Sequence, residues 1–271
     1  MTLRLFDIGG SGVKTIKLTD EYSFTDHSIL NYEHYENPDW GNFVTWAYNT
    51  GLLDAEFIGI SCAGFILPNE VVKLFRVGGW FNKKIGSEIL AYTPNSKVFL
   101  LNDAEAHLMA HYGLYKNPQM CISLGTSLGF AVSNSNGEIM RSLDGVNYDL
   151  GEVAIPTRAS NNKVWWALGS HGLEELQKRF GNDNGVKHFG YRLGSFLVNI
   201  CSIFRPKTVV FSGGITENWW HLFHHTMQSE FNHQKPNWLD DITFEKSPYC
   251  TNAALTGIAK YVIEKRIVNT H

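Results

Sequence analysis

Short apolar runs alternate with glycine-rich turns along the first part of the chain. Residues 3–8, 13–18 and 22–29 have the length and composition of β-strands, and the tight turn Gly9-Gly10-Ser11-Gly12 folds the first two into an antiparallel meander. Asn37-Pro38-Asp39 can open a helix through about Thr50, followed by a strand over 57–61, a turn at Ala63-Gly64-Phe65 and a hairpin at Pro68-Asn69. A short helix is expected over 86–92. A strand over 98–101 then feeds a helix over 103–115, with Leu108 and Tyr112 one turn apart on its apolar side. A second meander has strands over 120–124, 130–134 and 138–141, with Asn136-Gly137 as its hairpin turn. The clearest helical stripe is Val186, Phe189, Leu193, Phe196, Leu197, Ile200 and Ile203, ended by Arg205-Pro206. A strand over 208–212, a helix over 217–231, a strand over 242–245 and a closing helix over 252–266 complete the chain.

This order of strand, meander and helix occurs twice in outline. It predicts an α/β protein of two lobes, residues 1–102 and 103–271, each a mixed sheet flanked by helices, with the closing helix able to pack back on the first lobe. No low-complexity linker separates them, so the lobes are expected to share a cleft.

Composition narrows the function classes. At 271 residues, 44% hydrophobic and 18% charged, the chain has enough apolar material for two cores and shows no sign of disorder. A formal net charge of -3 without a basic run argues against nucleic acid and anionic membrane surfaces as partners. No run of 18 apolar residues and no leader-like N-terminus is present, and the four scattered cysteines fit buried thiols, so a cytoplasmic protein is expected. Small molecules, or copies of the chain itself, are the expected partners. Eight tryptophans and an apolar C-terminal region are compatible with a homodimer.

Four strand ends carry the candidate chemistry. Asn102-Asp103 closes the run Val98-Phe99-Leu100-Leu101 and delivers one carboxylate at a strand end, as activation of a hydroxyl requires; Asp103 also suits a helix N-cap. The turn Gly9-Gly10-Ser11-Gly12 leaves backbone N–H groups open to phosphate oxygens, and Asp7 beside it is placed to hold magnesium through water. Gly125-Thr126-Ser127 offers a second set of donors between two strands, and two such hairpins facing across a cleft would clamp a triphosphate. Gly213-Gly214, between a strand and a helix, lets bare backbone lie against a base or sugar. Gly12-Val13-Lys14-Thr15 is not a P-loop, since Val13 separates glycine from lysine and a strand follows, and no GxGxxG opens a helix.

FDIGGSGVK at 6–14, NDAEA at 102–106, SLGTSLG at 123–129 and VVFSGG at 209–214, in this order, resemble the ROK family of sugar kinases. ISCAG at 60–64, Gly79-Trp80 and Gly151-Glu152 extend the similarity over nearly the whole chain. The resemblance implies the actin-like ATPase (ribonuclease H-like) fold and ATP-dependent phosphorylation of a hexose or hexosamine with ATP and magnesium. It implies Asp103 as general base, with Gly64, Asn102, Glu152 and Glu174 at the sugar, and Lys14 near the phosphates. Magnesium-ATP would lie between the Gly9 and Gly125 turns with its base near Gly213.

Departures are as informative. Members of the family follow the glutamate with a histidine and a cysteine-rich zinc segment, whereas this chain has Ile155 at that position and no cysteine between Glu152 and Lys178. No structural zinc is expected, and Trp165 and Trp166 are candidates to anchor the loop instead. Glu175 competes with Glu174 for the sugar role, and His171 stands where it can replace the lost histidine. His221, His224 and His225 on one helix face receive no role. Because the family also includes repressors, the alternative is a sugar-sensing regulator; with Asp7 so near the start, it is expected to act without a DNA-binding domain.

Overall fold

The computed structural model describes residues 2–9, 12–19, 32–36, 39–74, 80–155 and 161–268. The strand expected over 22–29, and with it Gly10, Ser11 and Gly79, lies outside these residues. The chain forms two compact units. One comprises Met1–Ala110, Arg141–Asn147 and Asn252–His271; the other comprises His111–Met140 and Tyr148–Thr251.

In the first unit β1 (Thr2–Gly9) and β2 (Gly12–Thr19) form the expected antiparallel pair, with Asp7 opposite Lys14. β3 (Glu33–Glu36) pairs with β2 and supplies the observed third strand of the meander. Asp39 accepts the Gly41 N–H at 3.1 Å and opens a 3-10 turn that runs into α1 (Phe43–Asn49). β4 (Phe57–Cys62) is buried at every position, as a parallel strand covered on both faces must be. β5 (Phe65–Leu67), β6 (Glu70–Lys73) and β7 (Phe81–Lys83) make a small antiparallel sheet turning at Pro68-Asn69, so Phe65 belongs to a strand and not to the expected turn.

After α2 (Ile85–Tyr92), β8 (Lys97–Asn102) completes a five-stranded sheet in the order β3-β2-β1-β4-β8 and delivers α3 (Asp103–Ala110). α3 ends five residues before the expected Tyr115. The chain turns at His111, which is fully buried and sits 2.7 Å from Ser247, leaving Tyr112 off the helix and exposed.

In the second unit β9 (Gln119–Leu124) and β10 (Leu128–Val132) are antiparallel. The strand expected over 138–141 is reduced to one bridge, Ser133 with Ile139. α4 (Val164–Ala167), α5 (Ser170–Phe180) and α6 (Asn182–Phe204) follow, and α6 buries the expected stripe from Val186 to Ile200. Ile203 departs from it at 72% exposure, because in the last turn Phe204 packs instead, its ring 5.1 Å from Phe130 and 5.5 Å from Tyr148. Arg205 ends the helix in the left-handed conformation ahead of Pro206. β11 (Thr208–Ser212), α7 (Gly214–Gln234) and β12 (Thr243–Lys246) complete a sheet in the order β10-β9-β11-β12.

α8 (Ala253–Val268) belongs to the first unit and packs on α3, β1 and β4. The division expected between Asn102 and Asp103 falls instead after Ala110, since α3 is held by α8 and by β8, from which it springs. Each unit has its own apolar core, one around Phe6, Ile58 and Ile60 and one around Phe189, Phe211 and Phe223. All four cysteines are buried and unbridged. Among the described residues no helix is long and apolar enough to cross a membrane.

Candidate active site

Asp7 and Asp103 lie toward the C-terminal ends of the parallel strands β1 and β8, where open α/β sheets place their ligand sites. Asp7 stands in register with Lys14 on one side and Ser61 on the other. Lys14 Nζ lies 3.9 Å from its carboxylate and Ser61 Oγ donates to it at 3.2 Å. Burial nevertheless pushes the Asp7 pKa up, against the pull of Lys14 and Ser61. The neighbouring Cys62 thiol is raised further by burial and by the negative charges of both Asp103 and Asp7, so both carboxylates act on one point in the fold.

Asp103 is the first residue of α3 and half-buried; its Oδ1 accepts the Ala104 N–H at 2.9 Å. The helix cap is its neighbour. Asn102 Oδ1 accepts the Ala104 and Glu105 N–H groups at 2.9 and 3.4 Å, while its Nδ2 donates to the Gly64 carbonyl at 2.9 Å. Asn102 thereby builds the turn that presents Asp103. Gly64 itself has φ of +108°, and a Cβ there would meet the Lys73 carbonyl oxygen at 2.0 Å, so this carbonyl reaches Asn102 only because the residue is glycine.

Three residues that the sequence reading passed over complete this end. Glu105 is 1% exposed, accepts the Asn102 N–H at 3.2 Å and pairs with Arg141 through two bonds of 2.7 Å. The signal was legible as Asn-x-x-Glu, a capping-box spacing. His107 follows Asp103 by one helical turn, the interval that puts side chains on one face. Burial, and then Lys14, depress its pKa to about 4.

A histidine so depressed from its ordinary 6.5 is neutral at pH 7. The unfolded chain takes up the proton first on acidification, so the stability of the neutral form is complete above pH 6.5 and is lost as pH falls through about 4. His107→Gln is expected to flatten the fall of Tm across this window. Parallel Tm curves for the two proteins would refute it.

The donor set suits magnesium. This ion is held by one or two carboxylates together with substrate phosphates and water, and Asp7, in contact with a serine hydroxyl, provides one such carboxylate. Among the described residues no group of three or more His, Cys, Asp or Glu side chains is arranged to hold a metal by itself. His171 stacks on Trp166 at 6.3 Å, and His224 stacks on Trp220 at 5.1 Å.

In the second unit the Gly125 and Gly213 turns meet. Gly125 donates to the Ser127 carbonyl at 3.1 Å and accepts the Ser170 N–H, at the start of α5, at 2.9 Å. Gly213 has φ of +87°, and a side chain there would stand 2.5 Å from the Leu124 carbonyl oxygen, so β11 turns into α7 directly against the Gly125 loop. The N-terminus of α7, which no side chain caps, therefore starts beside the loop, and a helix N-terminus favours phosphate oxygens. Thr126 is exposed there.

The remaining expected sugar ligands also lie in this unit. The Glu152 carboxylate is exposed and 3.6 Å from Lys163, whose Nζ also donates to the Glu152 carbonyl. Glu174 is exposed on α5 and lines a groove of about 410 Å³ with Trp166, His171, Glu175 and Lys178. Ile155 is 5% exposed and belongs to the core of the unit. Bonds from Ile155 to Asn162 and from Val164 to Val153 tie the flanking chain together, and Trp166 packs on the core.

No family model matches the sequence, and no curated protein sequence matches it. Solved structures do. A ROK family protein from Streptococcus pneumoniae TIGR4, in complex with sucrose, has a TM-score of 0.79 at 17% identity, covering 99% of this chain and 100% of its own. A ROK family glucokinase from Streptomyces griseus, with glucose and AMPPNP, has a TM-score of 0.74 at 16% identity, covering 97% and 100%. A ROK family transcriptional regulator, a homolog of the E. coli MLC protein, has a TM-score of 0.78 at 13% identity, covering 99% of this chain and 80% of its own. The chain has the mixed α/β, actin-like ATPase fold of the ROK family structures.

Proposed function

We propose that this protein is an ATP-dependent sugar kinase with Asp103 as its general base. The observation that carries the reading is the Asn102-Asp103 turn: one half-buried carboxylate after the C-terminal end of β8, in the parallel part of a mixed sheet, held by a capped helix N-terminus, in a fold shared with a glucokinase. A sugar hydroxyl approaching Asp103 gives its proton to the carboxylate as its oxygen attacks the γ-phosphorus of ATP, and the bond from that phosphorus to the β,γ-bridging oxygen breaks to release ADP. Such a base contributes about 10² to 10⁴ in rate. Asn102, Gly64, Glu152 and Glu174 are assigned to the sugar; Gly9, Gly10, Ser11, Gly12, Lys14, Gly125, Thr126, Ser127, Gly213 and Gly214 are assigned to the nucleotide. Asp7 would hold magnesium, which supplies neutralisation of charge on the phosphates. Lys14, 3.9 Å from Asp7, adds a second positive charge to the same place.

A sugar-sensing regulator is the second reading, supported by the TM-score of 0.78 to the transcriptional regulator. One assay separates them. Sugar-dependent ADP release with magnesium-ATP is measured across hexoses, hexosamines and glycosides, with Asp103→Asn as control. Turnover on one acceptor that disappears in the control supports the kinase and identifies its substrate. Sugar binding without turnover on any acceptor would favour the regulator.

A further inference from the structure

We infer that Glu105 and Arg141 are positioning residues for Asp103, an inference that rests on the kinase reading. Arg141–Asn147 belongs to the first unit although the chain on both sides of it belongs to the second. Both ends of this segment are pinned to the frame of the Asn102-Asp103 turn. At one end Arg141 grips both oxygens of Glu105, its Nε and Nη2 each at 2.7 Å, and Nη1 donates to the Gly145 carbonyl at 3.4 Å. At the other end the buried Asn147 Oδ1 accepts the Ile66 N–H at 2.8 Å, two residues after Gly64. Asn102 closes the circuit by bonding both Gly64 and the first turn of α3.

Glu105 is the joint of this frame. The oxygen that accepts the Asn102 N–H also receives Arg141 Nη2, so the guanidinium fixes the carboxylate that closes the capping box, and the box fixes the backbone on either side of Asp103. An unpaired carboxylate at 1% exposure would be unfavourable, and a bidentate arginine satisfies it with defined direction. The pair therefore sets where the base stands, and touches no reacting atom itself.

Other titratable groups of the described residues lie on the elements packed about α3 and the turn. Cys62 on β4 and Asp7 on β1 lie on the sheet side, Lys14 on β2 acts on His107 of the same helix, Lys260 and Tyr261 come from α8, and Asp144 lies on the Arg141 segment. Of these, Tyr261 feels the charges of both Glu105 and Arg141, and its phenol, raised by burial above its ordinary 10, stays neutral through the acid limb whether or not Glu105 is replaced. Glu105→Gln keeps an acceptor for the Asn102 N–H but leaves the Arg141 charge, which cannot be discharged, without its counter-charge. The added positive charge favours the ionised base and moves the acid limb of the kcat/KM profile down, by about half a pH unit.

The test measures kcat, KM for ATP and the pH profile of the full chain and its variants on the acceptor found active. Glu105→Ala and Arg141→Met are each expected to lower kcat about tenfold with KM for ATP within about twofold, and the double variant to fall no further. Glu105→Gln, which keeps the fold if the alanine variant does not, is expected to shift the acid limb downward. Unaltered kcat in the single variants, additive losses in the double, or an unmoved acid limb in Glu105→Gln would overturn the inference and leave the kinase reading standing. No turnover by the wild-type chain on any acceptor would overturn both.

Discussion

Asp103→Asn is expected to lower turnover by about 10² to 10⁴ while nucleotide affinity stays within about twofold. The size follows from what the substitution removes. Asparagine has the shape of aspartate and keeps an oxygen to accept the Ala104 N–H at 2.9 Å, so the first turn of α3 is preserved. Asn102, which caps the helix through its own Oδ1, is untouched, as are Glu105 and its bonds to Arg141. Only the proposed proton acceptor is lost. The phosphate-binding candidates Gly125 and Gly213 belong to the second unit and meet each other there without Asp103. The check is paired: steady-state turnover on the best acceptor, and titration of ATP against the same preparations. Undiminished turnover would sink the assignment of the base, and a parallel loss of ATP affinity would place Asp103 at the nucleotide instead.

Strand ends were legible in the sequence because each couples an apolar run to small or polar residues. β1, β4, β8, β9 and β11 all appear within a residue or two of where those runs put them. The long helix was legible for the same reason, its stripe being a local pattern that tertiary structure only had to bury. What was not legible depended on partners distant in sequence. The extent of α3 is set by what surrounds its end, including the buried His111 beside Ser247, which lies 136 residues away. Glu105 reads as one more polar residue of a helix until Arg141, 36 residues on, is brought beside it. Asn102 looked like a sugar ligand or, with Asp103, part of a cap; the bond to the Gly64 carbonyl, 38 residues earlier, gives it a framework role that spacing alone cannot reveal. Ile155 shows the opposite case. An apolar residue at a position where the family resemblance called for a metal ligand is found in the core, as its chemistry dictates.

Gly257→Ala is expected to destabilise the protein by about 2 kcal/mol, against the sign that helix propensity alone would give. In an isolated helix the change would be favourable, since glycine is worse than alanine by about 1 kcal/mol. Here α8 lies so close to α3 that a Cβ on Gly257 would stand 1.6 Å from the Ala106 carbonyl oxygen and 2.8 Å from the Ala110 nitrogen. These are backbone atoms of a helix and cannot swing away as a side chain would. The helices must separate, which loosens Ala253, Ala254, Ile258 and Val262, all buried, and draws Lys260 from the Ala110 carbonyl that it bonds at the end of α3. Overpacking of this kind costs about 1 to 3 kcal/mol and occasionally more, enough to reverse the propensity gain. Because α3 begins with Asp103, the displacement should also lower kcat, whereas nucleotide binding should change little. Urea denaturation gives the sign directly: a midpoint unchanged or raised in the alanine variant would mean that α8 does not rest on α3 at this distance. A lowered midpoint with reduced kcat would tie the closing helix to the position of the base.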